Sequence, residues 1–183
     1  MSELQIVNIV GAGDLQQELD IEQVGRDIAV PYSEYDPSNY HGLYLRPVED
    51  GPLITVYRSG KYIVTGPSSL EELYGTNEKF LTKLGELDGV GEFVDTGFAV
   101  QNIVSTAELD EHINLNALSI SLGLEATEYE PEQFPGLIYR PAEYPVVLLV
   151  FATGKVVITG TADTEVARKG FEHLQSEMDF ESA

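Results

Sequence analysis

Apolar residues along this chain switch between two spacings. Gln5 to Val10 (QIVNIV) is a short apolar run of strand character. Asp14 to Ala29 then takes helical spacing through Leu15, Leu19, Ile21, Val24 and Ile28. That pattern predicts a helix with Asp14 as its N-cap, stopped by Pro31. Runs at Gly42–Arg46, Leu53–Arg58 and Lys61–Thr65 read as strands separated by Glu-Asp-Gly-Pro and Arg-Ser-Gly-Lys turns. Pro67-Ser68-Ser69 opens an amphipathic helix to about Leu87, with Leu70, Leu73, Phe80, Leu81 and Leu84 inward. Gly75 weakens its middle by roughly 1 kcal/mol relative to alanine.

After a Gly-rich link at Asp88–Gly91 the pattern restarts. Phe98–Val104 reads as a strand and Glu108–Leu122 as a helix. Three or four strands run to Thr159, a helix covers Asp163 to about Met178, and Asp179–Ala183 is expected to fray. Each half is therefore strand, helix, a meander of four strands, helix. A meander with two helices on one face leaves the other face of its sheet free.

The restart is a repeat. At an offset of 94 residues, which sets Tyr40 against Phe134, EYDPSNYHGLYLRP (Glu34 to Pro47) lies over EYEPEQFPGLIYRP. ITVYRSGKYIVTG (Ile54 to Gly66) lies over LLVFATGKVVITG, and VNIV (Val7 to Val10) over QNIV (Gln101 to Val104), without a gap. The chain is thus expected to form two similar halves, 1–90 and 91–183, related by a pseudo-twofold axis.

Charge changes the picture. Ten Lys+Arg stand against 31 Asp+Glu, a net −21. Taken alone this argues against nucleic acid, whose phosphates normally meet a basic patch. Its other meaning is adaptation to molar salt, where repulsion is screened to about 3 Å. Against that background Arg46, Lys61, Arg140 and Lys155 stand out, because they occupy equivalent places in the two repeats. Retained cations in symmetric places point to an anionic partner.

Other chemistry is sparse. The chain has no cysteine, so it has no thiolate nucleophile or Cys-type zinc site. His41, His112 and His173 lack metal-ligand spacing, and no Ser/His/Asp set or phosphate-binding Gly-rich loop occurs. No enzyme activity, cofactor or metal is expected. With no membrane span or signal segment in the sequence, a soluble, cytoplasmic protein is expected, and its charge suits a high-salt cytosol.

Asn8 and Asn102 are each a lone amide among β-branched neighbours, at the same place in the two repeats. A mid-strand asparagine is either a satisfied structural amide or a ligand contact. Val10, Ile63 and Thr65, and likewise Val104, Leu149, Val157 and Thr159, alternate so as to share a face in each half. That face is either core or an exposed apolar surface. Phe134 and Phe151 stand beside turns, where a ring either caps a core or projects.

QNIV, YEPEQFPGLIYR and the LLVF…GK…ITG block together resemble the TATA-box-binding protein family in its archaeal form, over nearly the whole chain. The resemblance implies an α+β saddle of ten antiparallel strands with four helices on the convex face, straddling the DNA minor groove. Apolar side chains suit that groove, because they fit against A·T edges and clash with the guanine amine. By position, Asn8 and Asn102 would bond base acceptors at the centre of the site, with Thr65 and Thr159 beside them. Val10, Ile63, Val104, Leu149 and Val157 would line the floor. Phe134, followed by Pro135, and Phe151 would wedge open a base step. Arg46, Lys61, Arg140 and Lys155 would meet phosphates, with Arg58 a candidate in the first half only.

The first repeat departs from the family pattern. Tyr40 and Tyr57 stand where the other wedge pair belongs, Thr55 where the second repeat has Leu149, and His41 where it has Pro135. Gly11-Ala12-Gly13 replaces Ser105-Thr106-Ala107. The resemblance implies double-stranded promoter DNA, transcription factor B and RNA polymerase as partners, with Glu143 in the Pro141–Pro145 loop facing factor B. It leaves room for a weak homodimer off DNA. The alternatives are a paralogue with weakened bending that acts through protein contacts, and an acidic interaction module.

Overall fold

The computed structural model describes residues 3–90 and 95–182. Ten strands join in one antiparallel sheet, with four helices. In chain order the elements are β1 (Gln5–Asp14), α1 (Ile21–Asp27), β2 (Tyr32–Glu34), β3 (Leu43–Arg46), β4 (Leu53–Val56), β5 (Lys61–Thr65) and α2 (Leu70–Gly85). They continue with β6 (Ala99–Glu108), α3 (Leu115–Leu122), β7 (Thr127–Glu128), β8 (Leu137–Tyr139), β9 (Val147–Val150), β10 (Lys155–Thr161) and α4 (Thr164–Ser182). The strand order is β2-β3-β4-β5-β1-β6-β10-β9-β8-β7. This is the fold class expected. The chain forms two compact units: Asn8–Gln101, here the first unit, and Met1–Val7 with Asn102–Ala183, the second.

In the first unit β1 pairs with β5, β5 with β4, β4 with β3 and β3 with β2. Alternation then sorts the side chains. Leu43, Leu45, Ile54, Val56, Tyr62 and Val64 are fully buried. They face α1 and α2, which pack on β2, β3 and β5. At the bottom of this core the Tyr62 hydroxyl donates to Asn77 Oδ1 at 2.5 Å and lies 2.8 Å from Thr96 Oγ1. A buried hydroxyl so partnered costs little.

The second unit repeats the plan. α4 packs on β10, and α3 packs on β7, β8 and α4. Leu137, Leu148, Val150, Val156, Ile158 and Phe171 form its buried centre. β10 slips register between Ile158 and Thr161, where it passes β6.

Both first helices are shorter than their spacing predicts. Asp14 ends β1 and accepts from the Gln16 N–H, while Asp20 is the true N-cap, accepting from Gln23 N–H at 3.2 Å. Leu15 and Leu19 are buried, yet their N–H groups donate to Gly60 and Arg58 carbonyls, both at 2.9 Å. The second unit has the same arrangement: Leu109 and Ile113 donate to Gly154 and Ala152, and Asn114 caps α3. In each unit, apolar residues at helical spacing are held instead by a neighbouring hairpin turn.

Three smaller expectations also change. In α2 the buried stripe is Leu73, Thr76, Asn77, Phe80 and Leu84; Leu70 is 46% exposed and Leu81 half-buried. β1 and β6 run to Asp14 and Glu108, each four residues past the predicted end. α4 continues to Ser182, taking in most of the segment expected to fray. Gly91 and Ala183 lie outside the described residues.

Candidate nucleic-acid interface

The sheet face turned away from the helices carries the predicted site residues, unit by unit. In the first unit the register sets Ala12 opposite Ile63, Asp14 opposite Lys61, Leu53 opposite Thr65 and Thr55 opposite Ile63. Asn8, Val10, Ile63 and Thr65 share this face and are half-buried, in contrast to the sealed Ile9, Tyr62 and Val64. In the second unit Val157 sits opposite both Thr106 and Leu149, and Thr159 opposite Val147. Asn102, Val104, Leu149, Val157 and Thr159 are again half-buried. None of them lies in the core. The face is an accessible apolar surface bearing a few amides and hydroxyls.

The asparagines are built in identically. Asn8 Oδ1 accepts from Gly66 N–H at 2.7 Å, and its Nδ2 donates to Thr65 Oγ1 at 3.3 Å. Asn102 Oδ1 accepts from Gly160 N–H at 2.9 Å, and its Nδ2 donates to Thr159 Oγ1 at 3.0 Å. The carbonyl oxygen is thereby committed to the backbone. The amide nitrogen has two hydrogens, so one remains beyond that given to the threonine. Each unit thus presents an oriented donor beside a threonine hydroxyl, which suits the acceptors at the floor of an A·T minor groove.

At the end of the second unit's face Phe134 and Phe151 meet edge to face, with centroids 5.8 Å apart. Gly136 makes room for them: a Cβ there would fall 2.8 Å from the Phe134 ring and 3.0 Å from Phe151. Phe134 and Pro135 are exposed. In the first unit Tyr40 and Tyr57 take these places, with ring centroids 6.2 Å apart and hydroxyls 2.7 Å apart. Tyr44 stacks on Tyr40 at 5.5 Å, and the His41 ring lies 4.5 Å from Tyr40. Burial, then the bond from Tyr40, pushes the Tyr57 hydroxyl up to about 12, so it stays protonated at neutral pH.

The four cations sit at the margins of these faces, three of them in acidic company. Lys61 and Lys155 are exposed and cross-strand from Asp14 and Glu108. Arg140 Nη1 lies 3.4 Å from Glu128 Oε2. Arg46 donates to the Gly51 carbonyl and stands 5.9 Å from the Tyr32 ring centroid. Arg58 reaches the Tyr35 hydroxyl at 3.4 Å and is exposed. Glu143 belongs to a different place. Its carboxylate is 3.4 Å from His173 of α4, whose Nε2 is 3.0 Å from the Tyr139 hydroxyl, so it stands with the helix layer.

Sequence reasoning missed several residues of the same faces. Tyr44 and Leu53 are half-buried beside Thr55 and Thr65, and Ile138 and Val147 beside Leu149 and Thr159. Strict two-residue alternation through β3, β4, β8 and β9 was the signal that could have found them. Among the described residues no group of three or more His, Cys, Asp or Glu is placed to hold a metal, and no helix is long and apolar enough to cross a membrane.

Known proteins resemble this chain over nearly its whole length. The family model described as transcription factor TFIID, or TATA-binding protein, matches residues 3–87 and 97–179. TATA-box-binding protein C of Halobacterium salinarum is 62% identical over 175 residues, spanning 96% of this chain and 97% of that protein. The TATA-box-binding protein of Archaeoglobus fulgidus is 40% identical over 175 residues, 96% of this chain and 94% of that one. The solved structure of Methanococcus jannaschii TBP matches with a TM-score of 0.80 at 35% identity, covering 97% of this chain and 98% of that one. The chain belongs to the TATA-box-binding protein family of transcription factors.

Proposed function

We propose that this protein is a general transcription initiation factor. It binds AT-rich promoter DNA through the minor groove, bends it, and presents the complex to transcription factor B and then RNA polymerase. The observation that carries the reading is the repeated Asn–Thr–Gly unit on each open sheet face, Asn8 with Thr65 and Gly66, and Asn102 with Thr159 and Gly160. It holds an amide donor at fixed orientation within an apolar surface. Such a surface suits a groove walled by sugars and floored by acceptors, and repels the guanine amine.

Bending is assigned to the aromatic pairs. Phe134 and Phe151 are bare rings at the end of one face and suit insertion between base pairs. Phosphate contacts are assigned to Arg46, Lys61, Arg140 and Lys155, and the factor B contact to the Pro141–Pro145 loop with Glu143. The test is a gel shift on a TATA-containing duplex in high KCl, with and without factor B, beside FRET between dyes on the duplex ends. Binding with raised FRET and a supershift by factor B is the expected result. No shift at any salt concentration would overturn the reading.

One observation favours a second reading, a relative that keeps the fold but bends weakly and acts through protein contacts. Tyr40 and Tyr57 are tied to each other by their hydroxyls. A shift without raised FRET would select it.

A further inference from the structure

The two open faces differ in one consistent direction. Where the second unit carries Phe134, Ile138 and Phe151, the first carries Tyr40, Tyr44 and Tyr57 at the equivalent positions. Each change adds a phenolic hydroxyl at the end of the face. The Tyr40 and Tyr57 oxygens, 2.7 Å apart, share one hydrogen between them. The donor of that bond keeps its lone pairs, while the acceptor keeps its own hydrogen and a lone pair. The tied pair therefore offers both acceptors and one donor at its tip. Gly42 gives Tyr40 its place, since a Cβ there would lie 2.9 Å from Tyr40 Cε1 and from Thr55 Cγ2.

In the minor groove an A·T pair shows acceptors only, whereas a G·C pair adds the guanine N2 amine, a donor, beside them. A phenylalanine pair has nothing to receive that amine, and burying an unmet donor is costly. The tyrosine pair has acceptors for it and a hydrogen for the neighbouring acceptor.

We propose that the first unit's tyrosine pair recognises a G·C base pair at its end of the site through the guanine N2 amine, while the second unit's phenylalanine pair requires A·T. This deepens the proposed function and rests on it. The promoters served would be asymmetric boxes, A·T at one end and G·C at the other. The tyrosine pair would also set which way round the protein lies.

The test measures binding of the full chain to three duplexes by fluorescence anisotropy in high KCl. One has an all-A·T box, the second a G·C pair at one end, and the third an inosine·C pair there. Inosine lacks the N2 amine, so it isolates that group. Orientation is read from a DNA-cleaving chelate on Ala152→Cys, the chain having no cysteine of its own. We expect the G·C-ended duplex to bind about three- to tenfold tighter than the inosine-ended one, with cleavage at the end away from guanine. Tyr40→Phe/Tyr57→Phe should reverse that preference, and Phe134→Tyr/Phe151→Tyr should allow guanine at either end. If guanine binds no tighter than inosine, or the tyrosine substitutions leave the ratio unchanged, the inference falls although the all-A·T duplex still binds. Failure of all three duplexes overturns the proposed function and this inference with it.

Discussion

Asn102 and Thr159 are locked together across β6 and β10, amide nitrogen to hydroxyl oxygen at 3.0 Å, while the same amide's oxygen receives the Gly160 N–H. One side chain therefore serves the fold through its oxygen and the surface through its nitrogen. Substitution separates the two tasks. Asn102→Asp keeps the acceptor for Gly160 but removes the amide donor and adds a negative charge. Thermal stability should stay within about 1 kcal/mol of wild type. Affinity for a TATA duplex should fall about five- to a hundredfold, since a good groove contact contributes about 1–3 kcal/mol. A gel-shift titration beside a melting curve checks both.

Gly136→Ala tests the wedge. The new methyl meets the Phe134 and Phe151 rings at 2.8 and 3.0 Å. Both are outer parts of side chains, so the rings give way and the fold survives. The expected outcome is a native melting profile with a reduced FRET bend. Gly42→Ala displaces the Tyr40 ring in the same way, at 2.9 Å. Because Tyr40 and Tyr57 are tied to each other by their hydroxyls whereas Phe134 and Phe151 are bare rings, Gly42→Ala should lower FRET less than Gly136→Ala does.

How far the sequence reaches is clear from these residues. The repeat placed Asn8 with Asn102 and Thr65 with Thr159, because strand alternation is local and survives folding. The starts of α1 and α3 were illegible, since Leu15, Leu19, Leu109 and Ile113 have helical spacing but are bound to hairpin turns distant in sequence. Gly60 and Gly154 hold those turns at φ of 94° and 96°, and a Cβ on either would collide with the carbonyl of Gln17 or Glu111. That contact joins residues more than 40 positions apart, beyond any local pattern. The Tyr40–Tyr57 bond and the Arg140–Glu128 pair were hidden because they join neighbouring segments that only the folded sheet brings together.

Alkaline pH should unfold the protein through its tyrosines. Burial raises Tyr62, and it pushes Tyr139 up to about 12, with Glu143 and Glu177 adding repulsion. The unfolded phenols ionise near 10 while the folded ones hold their protons, so the native state binds more protons in that interval. Their contribution is complete below about pH 10 and is lost as pH rises through about 12. Melting temperatures should fall between pH 9.5 and 11.5, values chosen to lie roughly on either side of the free phenol's pKa. Tyr139→Phe should make that fall shallower, although it also loses the His173 contact at 3.0 Å.

Salt should affect DNA binding in the unusual sense. Neutralising phosphates normally releases condensed cations, and affinity drops by a slope of about −0.9 for each contact in log–log form. Here the cations proposed to meet phosphates have acidic neighbours: Lys61 lies across from Asp14, Lys155 from Glu108, and Arg140 is 3.4 Å from Glu128. The whole chain carries −21. Bringing carboxylates against phosphates calls cations back into the interface, and that uptake opposes the release. Affinity should therefore hold or rise with KCl from roughly 0.5 to 2 M, where screening has already shrunk to a few ångströms. Glu128→Gln and Glu108→Gln should each make the slope more negative, because each removes one site of uptake. A steep loss of wild-type affinity over that range, with slopes indifferent to the two substitutions, would show that the carboxylates take no part in binding.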